Sequence, residues 1–170
     1  MMIKSILTLL IVSGLCGTIF GTFSVQAADV KVTWTEPSKY RDIYSGNQGK
    51  KRFRESTFKE LEKHLLKLAK ALPESQKLEI DVTDVDLAGD VNSSSMRDIR
   101  VIKQIYFPRI KFSYQLINEE QAIIQSGDVN IKDMNFMMGN TSRYRNKSLG
   151  YEKKLLDDWF KDEFVDVVKQ

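Results

Sequence analysis

Apolar residues recur with two different periods along this chain, and the order of the two periods limits the folds that it can adopt. In four segments apolar and polar residues alternate, which is typical of strands that bury one face. These segments are residues 30–35, 78–83, 109–116 and, roughly, 121–131. Residues 88–98 are rich in Gly, Asn and Ser and are predicted to form a loop.

Between the first two strands, apolar residues recur every three or four positions instead. This helix presents Phe58, Leu61, Leu65, Leu68 and Leu72 on one face, and the proline that follows ends it. A second helix, capped by Ser148, carries the apolar residues Leu155, Leu156, Trp159, Phe160, Phe164, Val167 and Val168. The order β-α-β-β-β-α predicts an α+β fold, a two-layer sandwich of about four mostly antiparallel strands with two helices. How the first strand joins the sheet stays open.

Trp159 occupies the centre of the apolar stripe on the second helix. On the sandwich interpretation, this stripe covers the sheet face that bears Ile110, Phe112 and Tyr114. We therefore expect Trp159 to be buried, with its indole N–H bonded to an acceptor.

The alternation of apolar and polar residues is interrupted in two of the predicted strands. Asp84 and Asp86 continue the parity of the buried face, although burying an unpaired carboxylate is costly. Either the strand ends before them, or a bulge shifts the register, or these acids have a partner. In the fourth strand, Gly127 is predicted to mark a bulge, because Ile124 and Val129 have opposite parity.

The beginning of the chain has the layout of a secretory signal peptide. Lys4 is its only charge, and small residues precede a predicted cut before Ala28. We therefore expect residues 1–27 to be a signal peptide, residues 28–170 to form a single α+β domain, and the protein to be periplasmic. The alternative is an uncleaved N-terminal anchor, because residues 6–23 are uncharged and nearly long enough to span a bilayer.

Cysteine content and charge exclude several functions. Cys16 is the only cysteine and leaves with the predicted signal peptide, so the remaining chain has no disulfide, thiol nucleophile or thiolate metal ligand. The formal net charge of the whole chain is +3, which is too balanced to indicate a nucleic-acid partner. Stability must therefore come from packing.

Five short sequences follow one another through the chain and together resemble one known family. They are Val-Thr-Trp-Thr-Glu-Pro-Ser-Lys-Tyr-Arg-Asp-Ile (32–43), Thr-Asp-Val-Asp-Leu-Ala-Gly-Asp (83–90), Pro-Arg-Ile-Lys-Phe-Ser-Tyr (108–114), Lys-Asp-Met (132–134) and Tyr-Glu-Lys-Lys-Leu-Leu-Asp-Asp-Trp-Phe (151–160). The combination resembles a bacterial exported family catalogued as domain of unknown function 3016, over about residues 30–164. The resemblance implies a bacterial protein exported to the cell envelope. It brings no assigned activity and no catalytic residues.

A cluster of acids follows the second strand. Measured as an EF-hand loop that begins at Asp84, the segment has Ala88 at position 5 and Ser95 at position 12, where a bidentate Glu is needed, so an EF-hand does not fit. A looser Ca²⁺ site with Asp84, Asp86 and Asp90 as ligands stays open, because Ca²⁺ accepts carboxylates in flexible geometry. The alternative is that these acids cap backbone groups or pair with arginine. The candidate arginines are Arg97, Arg100 and Arg109.

His64 is the only histidine. It lies at the margin of the apolar face of the first helix, with Glu60 one turn earlier. We expect an ion pair between the two on the helix surface, because residues four apart are neighbours there. A metal site or a catalytic base would need further residues that the sequence does not indicate.

Two basic sets are candidates for anion binding. They are Lys50, Lys51, Arg52 and Arg54 before and within the first helix, and Arg143, Arg145 and Lys147, together with Tyr144, before the last helix. Such clusters can bind a phospholipid head group or a lipopolysaccharide phosphate. The alternative is that they form solvated surfaces.

These observations predict an exported envelope protein with a non-catalytic binding or interaction domain and no cofactor. The expected partner is another envelope protein or an anionic envelope component, with no nucleic acid. The protein would not be integral to the membrane once its signal is cleaved. A Ca²⁺-dependent module that uses the three aspartates is the alternative, and a hydrolase ranks third.

Overall fold

The computed structural model of the chain describes residues 28–44, 49–92, 99–138 and 141–168. The predicted signal peptide, residues 1–27, lies outside them. None of the helices within these ranges is long and apolar enough to cross a membrane.

Six strands form two sheets. They are β1 (Asp29–Trp34), β2 (Lys77–Asp86), β3 (Asp90–Asn92), β4 (Ile99–Val101), β5 (Arg109–Ile117) and β6 (Ile123–Lys132). The main sheet has the order β1-β2-β5-β6, with β1 parallel to β2 and the other neighbours antiparallel. The first strand therefore joins at the edge, beside β2. Strands β3 and β4 form a small antiparallel sheet, and β3 lies in the segment that the sequence predicts to be a loop.

The helices are α1 (Lys50–Leu68), α2 (Ser142–Arg145), α3 (Gly150–Glu163) and α4 (Val165–Val168). The predicted last helix is thus broken at Phe164, and its N-cap is Leu149 rather than Ser148. A mixed sheet together with these helices confirms the α+β class. The two-layer arrangement stays a prediction.

A bulge in β2 explains the parity of its acids. The register against β5 shifts between Val82 and Asp84, so Thr83 is an extra residue without a partner. Apolar side chains up to Val82 face the core, and after the bulge Val85 does so again. Asp84 therefore faces away from the core. Of the three alternatives drawn from the sequence, the bulge is confirmed, and the acids also have a partner, described below.

The sequence predicts a bulge at Gly127 in β6, but this prediction is wrong, because the bulge lies elsewhere in the strand. Leu116 pairs with Gln125 and Ile117 with Ile123, so the extra residue is Ile124. Gly127 lies in regular pairing opposite Tyr114, where a Cβ atom would stand 3.1 Å from the tyrosine ring. The change of side-chain parity along β6 is therefore confirmed, but Gly127 does not cause it. The glycine instead allows close packing against the Tyr114 ring.

One apolar cluster includes residues of the main sheet and of the two long helices. It combines inward residues of β2 and β5 with Leu61 and Leu65 of α1 and with a group of aromatic residues on and after α3. The rings of Trp159 and Phe112 meet edge to face at 4.7 Å, and those of Trp159 and Tyr114 at 5.4 Å. Trp159 is 6% exposed, which confirms its predicted burial. Its indole N–H, however, has no acceptor among the described residues, because aromatic rings surround it.

Replacing Trp159 by Ala should lower the free energy of unfolding by about 3–5 kcal/mol, because the ring contacts are lost and a cavity remains. The control is Lys161→Ala on the exposed side of the same helix, which should change that free energy by less than about 0.5 kcal/mol. Urea denaturation followed by circular dichroism measures both. Equal effects of the two substitutions would contradict this account of the core.

Candidate functional site

A cleft of about 610 Å³ lies between α1, α2 and α3, and we call it the helical cleft. Its lining residues are His64, Lys67, Leu68, Arg143, Tyr144, Lys147, Lys153, Asp157, Asp158, Phe160 and Lys161. Five of these side chains are Lys or Arg and two are Asp. Sequence periodicity cannot reveal this grouping, because the residues come from three separate helical segments.

Asp157 joins the three helices at the wall of the helical cleft. Its Oδ1 lies 2.6 Å from Nε2 of His64 on α1, and its Oδ2 accepts a hydrogen bond of 2.6 Å from the Tyr144 hydroxyl on α2. Burial and the negative charge of Asp157 raise the pKa of Tyr144 to about 12, so its hydroxyl keeps its proton as the donor. Both oxygens of the carboxylate are therefore engaged within the protein.

The predicted pair between His64 and Glu60 is wrong. Glu60 instead accepts a hydrogen bond of 3.0 Å from Nζ of Lys153 on α3. The expectation that residues four apart pair with each other considers one helix alone. Here α3 packs against α1 and supplies a different partner to each residue: Asp157 to His64 and Lys153 to Glu60. The two cross-helix pairs fix α3 to α1 beside the cleft.

Four of the five basic side chains in the helical cleft form no ion pair within the part of the chain that the structure describes. They are Lys67, Arg143, Lys147 and Lys161, and all four are exposed. Asp158, the second acid of the lining, is paired with Lys154 at 2.6 Å. Among the described residues, the lining of the cleft therefore carries a surplus of exposed positive charge.

Tyr144 lies between two of these basic side chains. The guanidinium carbon of Arg143 is 5.9 Å from the centre of its ring, and Nζ of Lys147 is 6.0 Å from it. Such contacts hold both cations near the hydroxyl that binds Asp157. Arg143 was one of the predicted anion-binding residues, and the structure places it in the helical cleft.

A close approach of two chain segments positions Tyr144. Leu149 adopts a left-handed conformation with φ of 52°, and Gly150 then starts α3 directly against the Tyr144 carbonyl. A Cβ atom on Gly150 would stand 2.0 Å from that carbonyl oxygen. Only glycine permits this contact, which sets α2 on the first turn of α3.

The other predicted basic residues lie elsewhere. Lys50, Lys51, Arg52 and Arg54 occupy the first turns of α1, roughly 20–25 Å from Lys67 at the rise of an α-helix. Arg145 lines a second cleft of about 190 Å³, which also contains Phe53, Tyr151 and Lys147. The structure thus distributes the predicted basic residues over three places, and Lys147, which the prediction grouped with Arg143 and Arg145, lies in both clefts.

The three predicted Ca²⁺ ligands do not converge within the described structure. Asp84 accepts a hydrogen bond of 2.9 Å from Arg109, whose Nη2 is also 3.7 Å from Asp86. Asp90 instead accepts from the N–H of Val91 at 2.8 Å. No group of three or more His, Cys, Asp or Glu residues suitable for a metal ion occurs in the described ranges.

Ca²⁺ binding by Asp84, Asp86 and Asp90 stays a prediction. A rise in Tm with millimolar CaCl₂ would support it.

Sequence reasoning missed a second polar cluster, in which Arg100 holds two connecting segments together. Arg100 makes two hydrogen bonds with the Asp42 carboxylate, at 2.8 and 3.1 Å, and also donates to the carbonyls of Gly89 and Tyr44. Asp42 is distant in the sequence, so no local pattern indicates the pair. Glu152 of α3 is 2% exposed and accepts a hydrogen bond of 2.7 Å from the N–H of Ala88 in the same region.

Replacing Gly150 by Ala should destabilise the protein by about 1–3 kcal/mol, because the new methyl group forces the Tyr144 carbonyl away from α3. Gly49→Ala is the matched control, since no atom lies within 4 Å of a Cβ there. Thermal unfolding of both variants measures this difference in stability. A Gly150 variant as stable as the Gly49 variant would contradict the close approach of the Tyr144 carbonyl to Gly150.

Glu152 should contribute a pH-dependent loss of stability. Burial raises the pKa of Glu152 in the folded protein, so as pH rises above about 4.3 the unfolded chain releases this proton first and stability falls. Glu152→Gln retains an acceptor for Ala88 but does not titrate. The Tm of Glu152→Gln minus that of the wild type should therefore increase from about pH 4 to about pH 8.

The exposed Glu74 provides the control for this pH series. The Tm difference between Glu74→Gln and the wild type should stay nearly constant with pH. Parallel curves for the Glu152 variant and the wild type would show that the buried carboxyl titrates normally.

The comparisons with known proteins agree with the resemblance seen in the sequence. No curated protein and no solved structure matches this chain. One family model, described as "Protein of unknown function (DUF3016)", matches residues 28–162, which include both clefts and the main sheet. The chain therefore belongs to the DUF3016 family.

Proposed function

We propose that this protein is an exported, non-catalytic domain of the bacterial cell envelope that binds a phosphate-bearing envelope component in the helical cleft. The observation that carries the proposal is the surplus of four basic side chains around this cleft that form no ion pair with any residue the structure describes, while the two carboxylates of the lining are already engaged. The layout of residues 1–27 supports export.

Phosphate is the chemical group that these side chains suit best. Arg143 can donate two parallel hydrogen bonds to phosphate oxygens, and Lys67, Lys147 and Lys161 add mobile point charges from the other walls. A cleft lined by one sign of charge also concentrates counter-ions. The geometry thus favours a multiply charged anion over a single carboxylate.

The lining of the helical cleft supports binding rather than turnover. It includes no Ser, Thr or Cys. His64 and Asp157 are hydrogen-bonded, as in many catalytic sites, but the one hydroxyl in the described lining, that of Tyr144, keeps its proton and donates a hydrogen bond to Asp157. The pair instead fixes the wall on which Arg143 and Tyr144 stand.

The test is a titration of the purified protein with inorganic phosphate and with glycerol phosphate at low ionic strength. We expect a saturable rise in Tm, because both anions bind the folded state, and a loss of this rise in high salt. Arg143→Ala should weaken the apparent affinity by at least about fivefold.

Lys59→Ala is the control, since Lys59 is exposed on α1 but lies outside the cleft lining. It should leave the affinity unchanged. If Lys59→Ala and Arg143→Ala had the same effect, binding would be a general property of the basic surface and the assignment to the cleft would fail.

A further inference from the structure

The connection between β4 and β5 exposes three large apolar side chains within five residues. Ile105 is 72% exposed, and Ile102 and Tyr106 are each 38% exposed. Exposed single apolar residues are common, whereas a group of large ones exposed on one short segment is a candidate interaction surface.

Backbone hydrogen bonds hold this connection in place. The N–H of Tyr106 donates to the carbonyl of Lys103 at 3.0 Å, which closes a tight turn. The N–H of Gly89 donates to the carbonyl of Tyr106 at 2.9 Å and ties the turn to the end of β2. The apolar side chains are therefore presented outward by a fixed turn.

Basic side chains lie in the same turn and beside Ile102. Lys103 lies in the turn itself, and Arg145 and Lys147 line the second cleft together with Ile102. None of the three basic residues forms an ion pair among the residues that the structure describes. The only acid in the lining of that cleft, Glu152, is buried. We call Ile102, Lys103, Ile105, Tyr106, Arg145 and Lys147 the docking surface.

We infer that the docking surface binds the interface of an anionic phospholipid bilayer. Aliphatic side chains can enter the boundary between head groups and acyl chains, a tyrosine is suited to the head-group level, and Lys and Arg are attracted to anionic lipids. The charge of the surface is complementary to such a membrane. A protein partner fits less well, because lysine is depleted from the centres of protein interfaces.

This inference goes beyond the proposed function and does not depend on it. Arg143 and Lys161 belong to the helical cleft alone, whereas Ile105 belongs to the docking surface alone. Lys147 lies in both clefts, so docking at the membrane would bring the helical cleft close to the layer of phosphate groups.

The experiment measures cosedimentation of the protein, as cells produce it, with vesicles of phosphatidylcholine alone or with about one third phosphatidylglycerol. All variants share the same N-terminus, so its contribution cancels in the comparison. The wild type should bind the anionic vesicles more strongly, and added salt should weaken this binding. Ile105→Asp should reduce the partition coefficient by about tenfold or more, because a charge replaces the inserted side chain.

Ile124→Asp is the matched control. Ile124 is 48% exposed, but it lies in β6, next to a hairpin turn that contains Glu119 and Glu120. This substitution should change the partition coefficient by less than about twofold.

A second set of variants tests the role of charge. Lys103→Glu combined with Arg145→Glu should abolish the preference for phosphatidylglycerol, whereas Lys132→Glu on β6 should preserve it.

A second measurement gives a positive signal for insertion. Ile105→Trp should show a blue shift of tryptophan fluorescence on addition of anionic vesicles, and none with phosphatidylcholine alone. The two native tryptophans provide a constant background in the wild type.

Three results would overturn the inference. The first is equal binding to both kinds of vesicle with no effect of Ile105→Asp. The second is an equal loss in Ile105→Asp and Ile124→Asp, which would indicate general apolar adsorption. The third is full competition by glycerol phosphate while Ile105→Asp binds like the wild type, which would place vesicle binding in the helical cleft. Loss of phosphate binding in Arg143→Ala with normal vesicle binding would concern the proposed function alone.

Discussion

Thr83 is skipped in the pairing register of β2 with β5, and this one extra residue determines which side chains of β2 reach the core. Without it, Asp84 would point into the apolar cluster that Val85 now enters. With it, Asp84 turns toward Arg109, and β2 ends at Asp86, two residues before the buried Ala88, whose N–H donates to Glu152 of α3. The core and the attachment of α3 to the end of β2 thus depend on the same irregularity.

The helical cleft shows how a short segment is given a defined position. Helix α2 has only four residues and would not be stable alone. Two contacts fix its position. The Tyr144 hydroxyl donates a hydrogen bond to Asp157, and the Tyr144 carbonyl lies directly against Gly150. Because Asp157 also binds His64, the walls of the cleft are connected through a single carboxylate. The basic side chains on the rim need only extend from walls that are already fixed.

Local pattern predicted the four strands of the main sheet, the face of α1 and the burial of Trp159, because period and burial are properties of a few neighbouring residues. It could not predict contacts between distant segments. The parallel partner of β1, the pairing of Arg100 with Asp42 and the pairing of His64 with Asp157 all depend on how elements pack. The family resemblance was confirmed over nearly the same residues, but it carries no assigned site.

Parallel pairing of β1 with β2 has a consequence for the timing of folding. Asp29 pairs with Lys77, so the first strand must wait until about fifty further residues, including all of α1, are available. The antiparallel pair of β5 and β6 needs only a short turn and can form much sooner after synthesis of its residues. A chain that emerges N-terminus first therefore cannot complete its sheet early. A chain exported through a narrow channel, as we expect here, would remain unfolded for most of its passage, and the completed sheet would be on the far side of the membrane.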